Sequence, residues 1–195
     1  EAGIAFMDIT TGEFATTQLS VNQISAELER LQPAEILLPQ RMDTGFVPGT
    51  AMVTKLDDYV FEIDTATQML FEHFKVGSLE GYGCAGLPLA IRAAGAVVHY
   101  IAETQKSVLG QIDSLSTYST ESFMTIDAQT RRNLELFTST RWGTATSSLL
   151  SIIDGTKTSM GGRLIRKWLG QPLLDIKSLV ERQECLNWFY QNNLI

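Results

Sequence analysis

Ala34-Glu35-Ile36-Leu37-Leu38-Pro39 is the stretch that decides the fold class of the first part of the chain. This short apolar run lies between two prolines and follows a helical pattern over residues 20–31, which is typical of a buried strand reached through a helical crossover. Such a strand is predicted to run parallel to an earlier one. Upstream, residues 3–19 alternate as strand, turn and strand, which predicts a β-hairpin. The first module is therefore predicted to be α/β.

Downstream of this strand, the pattern predicts one more strand and two helices. Residues 52–56 fit an edge strand. Asp64 is expected to cap a helix that runs to about Phe74, with Gln68 and Glu72 on its polar side. Pro88 is predicted to open a long helix to about Gln105, and because that helix is apolar on most sides it should be buried.

Beyond Gln111 the periodicity is mainly helical. Residues 118–126 are the only clear strand candidate there, and Asp127 is expected to cap the helix that follows. Trp168 and Trp188 fall at core-facing positions of two later helices, whereas Trp142 in a polar loop has no such explanation. These amphipathic helices predict part of a larger helical body whose other members are absent.

Composition and charge limit the classes of partner. Residues 1–110 carry 14 acidic and 6 basic side chains and residues 111–195 carry 8 and 9, which together give the net charge of −7. An acidic first part repels phosphates, so its partner is expected to be protein. The two cysteines predict neither a disulfide nor a zinc site and fit a reducing cytosol. The longest apolar stretch, residues 93–101, is far short of a membrane span, and the start without Met suggests a piece of a longer chain.

One motif raises the question of a nucleotide site. Gly81-Tyr82-Gly83-Cys84-Ala85-Gly86 matches G-x-G-x-x-G and leads into a helix. The motif should follow a buried strand, but residues 75–80 are polar and interrupted by glycine. A flexible entry into the helix is therefore the favoured interpretation over a phosphate cradle.

Carboxylates, histidines and basic clusters are the other candidate sites in the sequence. Asp8, Glu13, Asp57, Asp58 and Asp64 could form the metal cluster of an RNase H-like nuclease, but the acids are scattered over strand, turn and loop, so solvated surface acids are favoured. His73 and His99 are favoured as satisfied or exposed helix histidines over metal ligands or general bases. Solvated helix faces or internal ion pairs are favoured over DNA contacts for the basic clusters, which are Arg131, Arg132, Arg163, Arg166 and Lys167.

Two motifs carry a resemblance to a known family. Thr130-Arg131-Arg132-Asn133-Leu134-Glu135-Leu136 is followed by Thr156-x-Thr158-x-Met160-Gly161-x-Arg163-Leu164-x-x-x-Trp168-Leu169-x-x-Pro172-Leu173. This pair resembles the core, or lever, domain of the MutS family of bacterial DNA mismatch-recognition proteins. Upstream, residues 31–39, 74–88 and 93–105 resemble the connector domain of that family, so the likeness covers nearly the whole chain.

The resemblance implies a fold and a division into domains. Residues 1–105 would be an α/β RNase H-like connector, a mixed sheet with flanking helices. Residues 106–195 would be the first part of a mainly α-helical, truncated lever domain. In the family a preceding domain reads the mismatch with a Phe-x-Glu motif and a later one hydrolyses ATP with Mg through a Walker A loop. The sequence contains neither motif, so no enzyme activity and no cofactor are expected of this chain.

The resemblance also implies partners and a role. The connector links the mismatch-binding and ATPase domains, transmits conformational signals and offers a surface to MutL, with the long apolar helix as the expected rigid coupler. Gln68, Met69 and Glu72 are the predicted partner-binding residues. Mismatched DNA and a second MutS subunit are expected to bind through other domains. The protein is expected in the cytoplasm, associated with the nucleoid, and without a membrane partner. An RNase H-like nuclease and a purely structural spacer stay open as alternatives.

Overall fold

The structure is a computed structural model that describes residues 1–49, 51–105, 109–110, 112–124, 126–139 and 145–192, with the side chain of residue 128 left out. The chain forms two compact units, Glu1–Ser119 and Thr120–Ile195. The first unit mixes strands and helices. Its described elements are β1 (Ala2–Asp8), β2 (Glu13–Leu19), α1 (Ile24–Leu31), β3 (Glu35–Pro39), β4 (Met52–Leu56), α2 (Ile63–Phe74), α3 (Pro88–Thr104) and β5 (Ser116–Thr117).

The first sheet has the order β1-β2-β5 and is mixed. β1 and β2 form the predicted hairpin, in antiparallel register from Asp8 opposite Glu13 to Ala2 opposite Leu19. β5 runs parallel to β2 along its other edge. Because both edges of β2 are occupied, β3 cannot pair with it.

β3 instead pairs in parallel with β4, from Glu35 opposite Met52 to Pro39 opposite Leu56, in a second sheet of two strands. The prediction of a parallel strand is confirmed, but its partner follows β3 in the chain where an earlier one was expected. Leu28 of α1 packs with Ile36 and Leu38 in the small core beneath this sheet.

α3 is the central helix of the first unit, and its predicted start at Pro88 and its burial are confirmed. It approaches β1 so closely that a Cβ on Gly3 would lie 1.9 Å from the carbonyl oxygen of Leu89. The hydroxyl of Thr16 in β2 donates to the carbonyl oxygen of Ala90, 2.9 Å away. These contacts fix the helix against the hairpin.

The first unit also includes residues beyond the sequence boundary at 105. Ile112 and Leu115 are 2% and 4% exposed and lie in the same core as Phe14 and Leu70. The segment between residues 112 and 118 returns along β2, where the backbone N–H of Tyr118 donates to the carbonyl oxygen of Thr16 at 3.1 Å. We call residues 112–118 the return segment.

The second unit is helical in its described part. Its helices are α4 (Ala128–Asn133), α5 (Leu149–Ile153), α6 (Ser159–Gly170) and α7 (Ile176–Gln191). Asp127, Ser148, Thr158 and Asp175 cap them in that order, each by accepting a backbone N–H in the first turn.

The predicted strand over residues 118–126 is wrong. Residues 120–122 form a 3-10 turn, residue 125 lies outside the described residues, and Phe123 makes only an isolated bridge to Leu173. Ser and Thr side chains compete for backbone hydrogen bonds and favour turns over strands, and residues 119–122 are Ser-Thr-Glu-Ser.

Among the described helices, none is both long and apolar enough to cross a membrane.

Candidate partner-binding surface

α2 is held firmly against the core of the first unit. Ala66 and Leu70 are completely buried on its inner face. Gly95 of α3 permits the contact, because a Cβ there would lie only 2.4 Å from the Cα of Ala66. Glu62 occupies the cap position that was predicted for Asp64, which instead lies in the first turn, where its charge favours the helix dipole.

The predicted partner-binding residues lie on the other side of α2. Gln68 and Glu72 are exposed, and the Gln68 Nε2 donates to Glu72 Oε1 at 2.7 Å. Met69 is half-buried and packs against the core. The structure therefore brings two of the three predicted residues together on an exposed polar face, while the third mainly supports the helix.

The end of α2 is fixed by aromatic packing and by the return segment. The Phe74 ring lies 4.9 Å from that of Tyr82 and 6.4 Å from that of Phe14. The His73 Nε2 lies 2.7 Å from the carbonyl oxygen of Ile112. The helix that carries the exposed face is therefore held in place both by its buried inner side and by its C-terminal end.

A groove of about 370 Å³ runs along the side of α2 next to this face. Ile63, Thr67 and Phe71 of α2 form one wall, and the opposite side consists of residues 77–79, Ala85 and the first turn of α3. Its lining is mostly apolar. The groove was not predicted, because residues 77–85 show no periodicity that would place them against α2.

A buried ionic cluster joins α1 to the return segment. Arg30 binds the Glu27 carboxylate through two nitrogens, at 2.6 and 3.0 Å. The Tyr118 hydroxyl donates to Glu27 Oε1 at 2.6 Å. The Arg30 guanidinium lies 5.9 Å from the centre of the Phe6 ring and 5.7 Å from that of Tyr118. Glu27 is only 6% exposed.

Burial and charge shift the titration of this cluster. Burial raises the pKa of the Tyr118 hydroxyl well above its usual value, and the charge of Glu27 raises it further. Burial alone would lower the pKa of Arg30, but the hydrogen bond and charge of Glu27 outweigh it, so the pKa is raised. Both groups thus keep the protonation states that bind the carboxylate, and we assign the cluster a structural role.

The proposed nuclease acids do not converge. The Asp8 carboxylate accepts from the backbone N–H and hydroxyl of Thr10, at 2.8 and 2.6 Å, and the hydroxyl bond holds its pKa below the usual value. Asp58 instead pairs with Arg41 at 3.1 Å. Within the described part of the chain, no three His, Cys, Asp or Glu side chains are grouped as metal ligands would be.

The glycine-rich motif forms the entry to α3. Residues 80–82 make a 3-10 turn, Gly83 has a positive φ of 74°, and Cys84 is completely buried. α2, and not a strand, precedes this loop, so the interpretation as a helix entry agrees with the structure. The Thr117 hydroxyl donates to the carbonyl oxygen of Tyr82 at 2.7 Å, which ties the loop to the return segment.

Three of the remaining candidates make contacts within the chain. His99 lies 3.5 Å from Glu103 one turn away. Arg131 and Arg166 of the basic clusters lie 5.6 and 4.8 Å from the centre of the Phe137 ring. For these two arginines, the contacts agree with the interpretation of internally paired helix faces.

The tryptophans divide into three cases. Trp168 is half-buried beneath the Arg182 guanidinium, 4.0 Å from the ring centre. Trp188 was expected to face a core but is 58% exposed, as are its neighbours Phe189 and Tyr190 at 57% and 78%. Trp142 lies outside the described residues.

Sequence reasoning missed the ionic cluster. The spacing of Glu27 and Arg30, three residues apart on a helix, is a signal that could have indicated a pair. Nothing local indicates Tyr118, because it follows Glu27 by 91 residues and reaches it only through the return of the chain along β2.

Comparison with known proteins gives a family match in each of the two units. The family model for MutS domain II matches residues 1–113, and that for MutS domain III matches residues 129–195. DNA mismatch repair protein MutS of Dehalococcoides mccartyi is 46% identical over 98% of this chain. The same-named proteins of Thermosynechococcus vestitus and Methanococcoides burtonii are 46% and 37% identical over 94% and 99% of it. The chain spans only 22 to 23% of the length of these relatives. The two matches and these identities show that the chain belongs to the MutS family of DNA mismatch repair proteins.

Proposed function

We propose that this chain is the connecting part of a mismatch-repair protein, which links mismatch-binding and ATPase domains, transmits conformational signals and offers a surface to MutL. The observation that carries the proposal is the exposed face of α2 around Gln68 and Glu72, held rigidly by the buried contacts of Ala66 and Leu70. A fixed polar face on an acidic unit suits recognition by a protein, because its side chains and backbone lose little conformational entropy on binding.

The domain roles belong to the same proposal. The first unit would be an RNase H-like connector and the second the opening part of the lever domain. The order of the two family matches along the chain supports this assignment. Mismatched DNA, ATP with Mg, and a second MutS subunit would bind other domains of the whole protein in the cytoplasm. DNA or nucleotide binding would select between two packed arrangements of connector against lever domain, whose free energies differ by a few kcal/mol. The buried helix α3 would act as a rigid element.

The exposed apolar residues of the second unit support its assignment to a larger helical body. Large side chains on α5, α6 and α7 are more than half exposed, which is costly unless another surface covers them; they include Ile152, Met160, Ile176, Leu186, Trp188, Phe189 and Tyr190. We propose that further parts of the whole protein cover them.

The first experiment is binding of this chain to purified MutL by biolayer interferometry at physiological salt. We expect saturable binding that Glu72→Arg weakens by at least tenfold. Glu29→Arg is the matched control, since Glu29 is also an exposed glutamate on a helix of the first unit. Equal binding by both variants and the unchanged chain would remove the face of α2 from the proposal.

Two outcomes would favour the alternatives. A structural spacer would leave the MutL response of the whole protein unchanged for surface substitutions anywhere on the first unit. A nuclease would cleave nucleic acid with a divalent metal and lose that activity in Asp8→Asn. We expect no cleavage, because the Asp8 carboxylate is engaged in its own turn by Thr10.

A further inference from the structure

We propose that the groove beside α2 takes one large apolar side chain from a basic segment of the partner protein. The groove lies along the helix that carries Gln68 and Glu72, so the inference rests on the proposed function and specifies the chemistry of the partner. Four observations support it: the lining, the fixed geometry, the charges next to the lining residues in the chain and the position of the groove.

The lining suits an apolar side chain. Leu79 and Ile91 are 5% and 6% exposed and are among the lining residues, while Ile63 and Phe71 flank them from α2. The volume of about 370 Å³ can accept a single large side chain together with a short length of backbone. Thr67 and Ser78 supply hydroxyl groups that can orient a polypeptide backbone.

The groove is already formed. Its far side belongs to the loop that Thr117 ties down at the carbonyl oxygen of Tyr82 and that Cys84 anchors in the core. The hydroxyl of Ser78 accepts from the backbone N–H of Glu80 at 3.2 Å. A preformed site saves the entropy of ordering, so a short segment can bind it.

The charges next to the lining residues in the chain favour a basic partner. Glu62, Asp64, Glu72 and Glu80 are exposed, and each is the immediate chain neighbour of a residue that lines the groove. Arg92 is the only basic immediate neighbour of a lining residue, and its guanidinium donates to the carbonyl oxygen of Phe61. Lys or Arg on either side of an apolar side chain would therefore meet complementary charge. Phosphates of nucleic acids or anionic lipids would be repelled.

The test uses labelled peptides and this chain. The probe is Lys-Arg-Phe-Lys-Arg, with Lys-Arg-Ala-Lys-Arg and Glu-Asp-Phe-Glu-Asp as controls. Binding is followed by fluorescence anisotropy, and the amide resonances of Gly77 and Ser78 are followed by NMR. We expect the Phe peptide to bind roughly tenfold or more tightly than the Ala peptide, as burial of an aromatic side chain predicts, and the acidic peptide not to bind.

Variants locate the binding. Thr67→Trp should fill the groove and weaken the Phe peptide by about tenfold or more, whereas Ser25→Trp places the same bulk on an exposed site of α1 and should change nothing. Glu80→Lys should weaken binding and reduce its dependence on salt, with Glu29→Lys as its control. Equal affinity of the Phe and Ala peptides, or Thr67→Trp binding like the unchanged chain, would overturn the proposal.

MutL binding separates this inference from the proposed function. If Glu72→Arg weakens MutL binding and Thr67→Trp does not, the proposed function stands and the groove has no part in it. If both weaken it and Ser25→Trp does not, the groove is part of the partner surface. If MutL does not bind but the peptides discriminate as expected, the groove recognises basic apolar segments and the proposed function fails.

Discussion

Tyr118→Phe isolates the hydrogen bond that fastens the return segment to α1. The substitution removes the hydroxyl that donates to Glu27 at 2.6 Å and keeps the ring that packs on Phe6, whose centre lies 5.9 Å away. The packing of the ring is therefore retained. Glu27 keeps its two bonds to Arg30, so its charge stays paired.

The expected loss follows from the kind of bond. A hydrogen bond to a buried charged acceptor contributes about 1.5 to 3 kcal/mol. The free energy of unfolding of the first unit should therefore fall by that amount. Glu27→Ala should cost more, about 3 to 5 kcal/mol, because it leaves the Arg30 guanidinium partly buried without its carboxylate.

Alkaline pH provides a second test of the same hydroxyl, because burial first and then the charge and hydrogen bond of Glu27 raise its pKa. The pKa of Tyr118 is raised in the folded chain, so folding favours the protonated hydroxyl. The resulting stabilisation is fully present below the ordinary tyrosine pKa of 10.0 and is lost as the pH rises above it. The loss reaches about 1.4 kcal/mol per pH unit for one group. Tyr118→Phe should remove this contribution, whereas that of Tyr100, whose pKa Glu35 raises, should persist.

Urea titration measures both effects. Far-UV circular dichroism follows both units, and the tryptophans, all in the sequence of the second unit, provide an internal reference. The dichroism transition of the first unit should shift and the fluorescence transition should not. A change below about 0.5 kcal/mol, within the ordinary range of surface substitutions, or an unaltered alkaline loss would refute the reasoning.

Three further substitutions test the packing and the caps. Gly95→Ala should destabilise the first unit by about 1 to 3 kcal/mol in urea, because its Cβ would lie 2.4 Å from the Cα of Ala66. Gly86→Ala is the control. It should be neutral or slightly stabilising, because no atom lies within 4 Å of a Cβ added there. Asp175→Ala should lower the helicity of the second unit and cost about 1 kcal/mol, because it removes the cap on the N–H groups of Lys177 and Ser178; unchanged dichroism would contradict this. Arg182→Ala should alter tryptophan emission, since its guanidinium covers the Trp168 ring at 4.0 Å; a spectrum identical to that of the unchanged chain would count against the contact.

Local patterns in the sequence predicted the elements whose partners are near in the chain. The hairpin, the start and burial of α3 and the Asp127 cap were all foreseen, because alternation, proline position and cap chemistry act over a few residues. The exposed pair Gln68 and Glu72 was also foreseen from helical periodicity.

Contacts that connect distant residues required the tertiary structure. β5 occupies the edge of β2, and this sends β3 to β4. The return segment likewise places Tyr118 on Glu27 and Thr117 on the loop that forms the groove.

The sequence by itself therefore determined the family, the α/β character of the first unit and the helical character of the second. The tertiary structure decided the pairing of the strands, the extent of the first unit to Ser119, the ionic cluster and the groove beside α2. The physical reason is that periodicity and capping record only the local environment of a residue. Strand partners and the walls of a groove depend on which distant segments the core brings together.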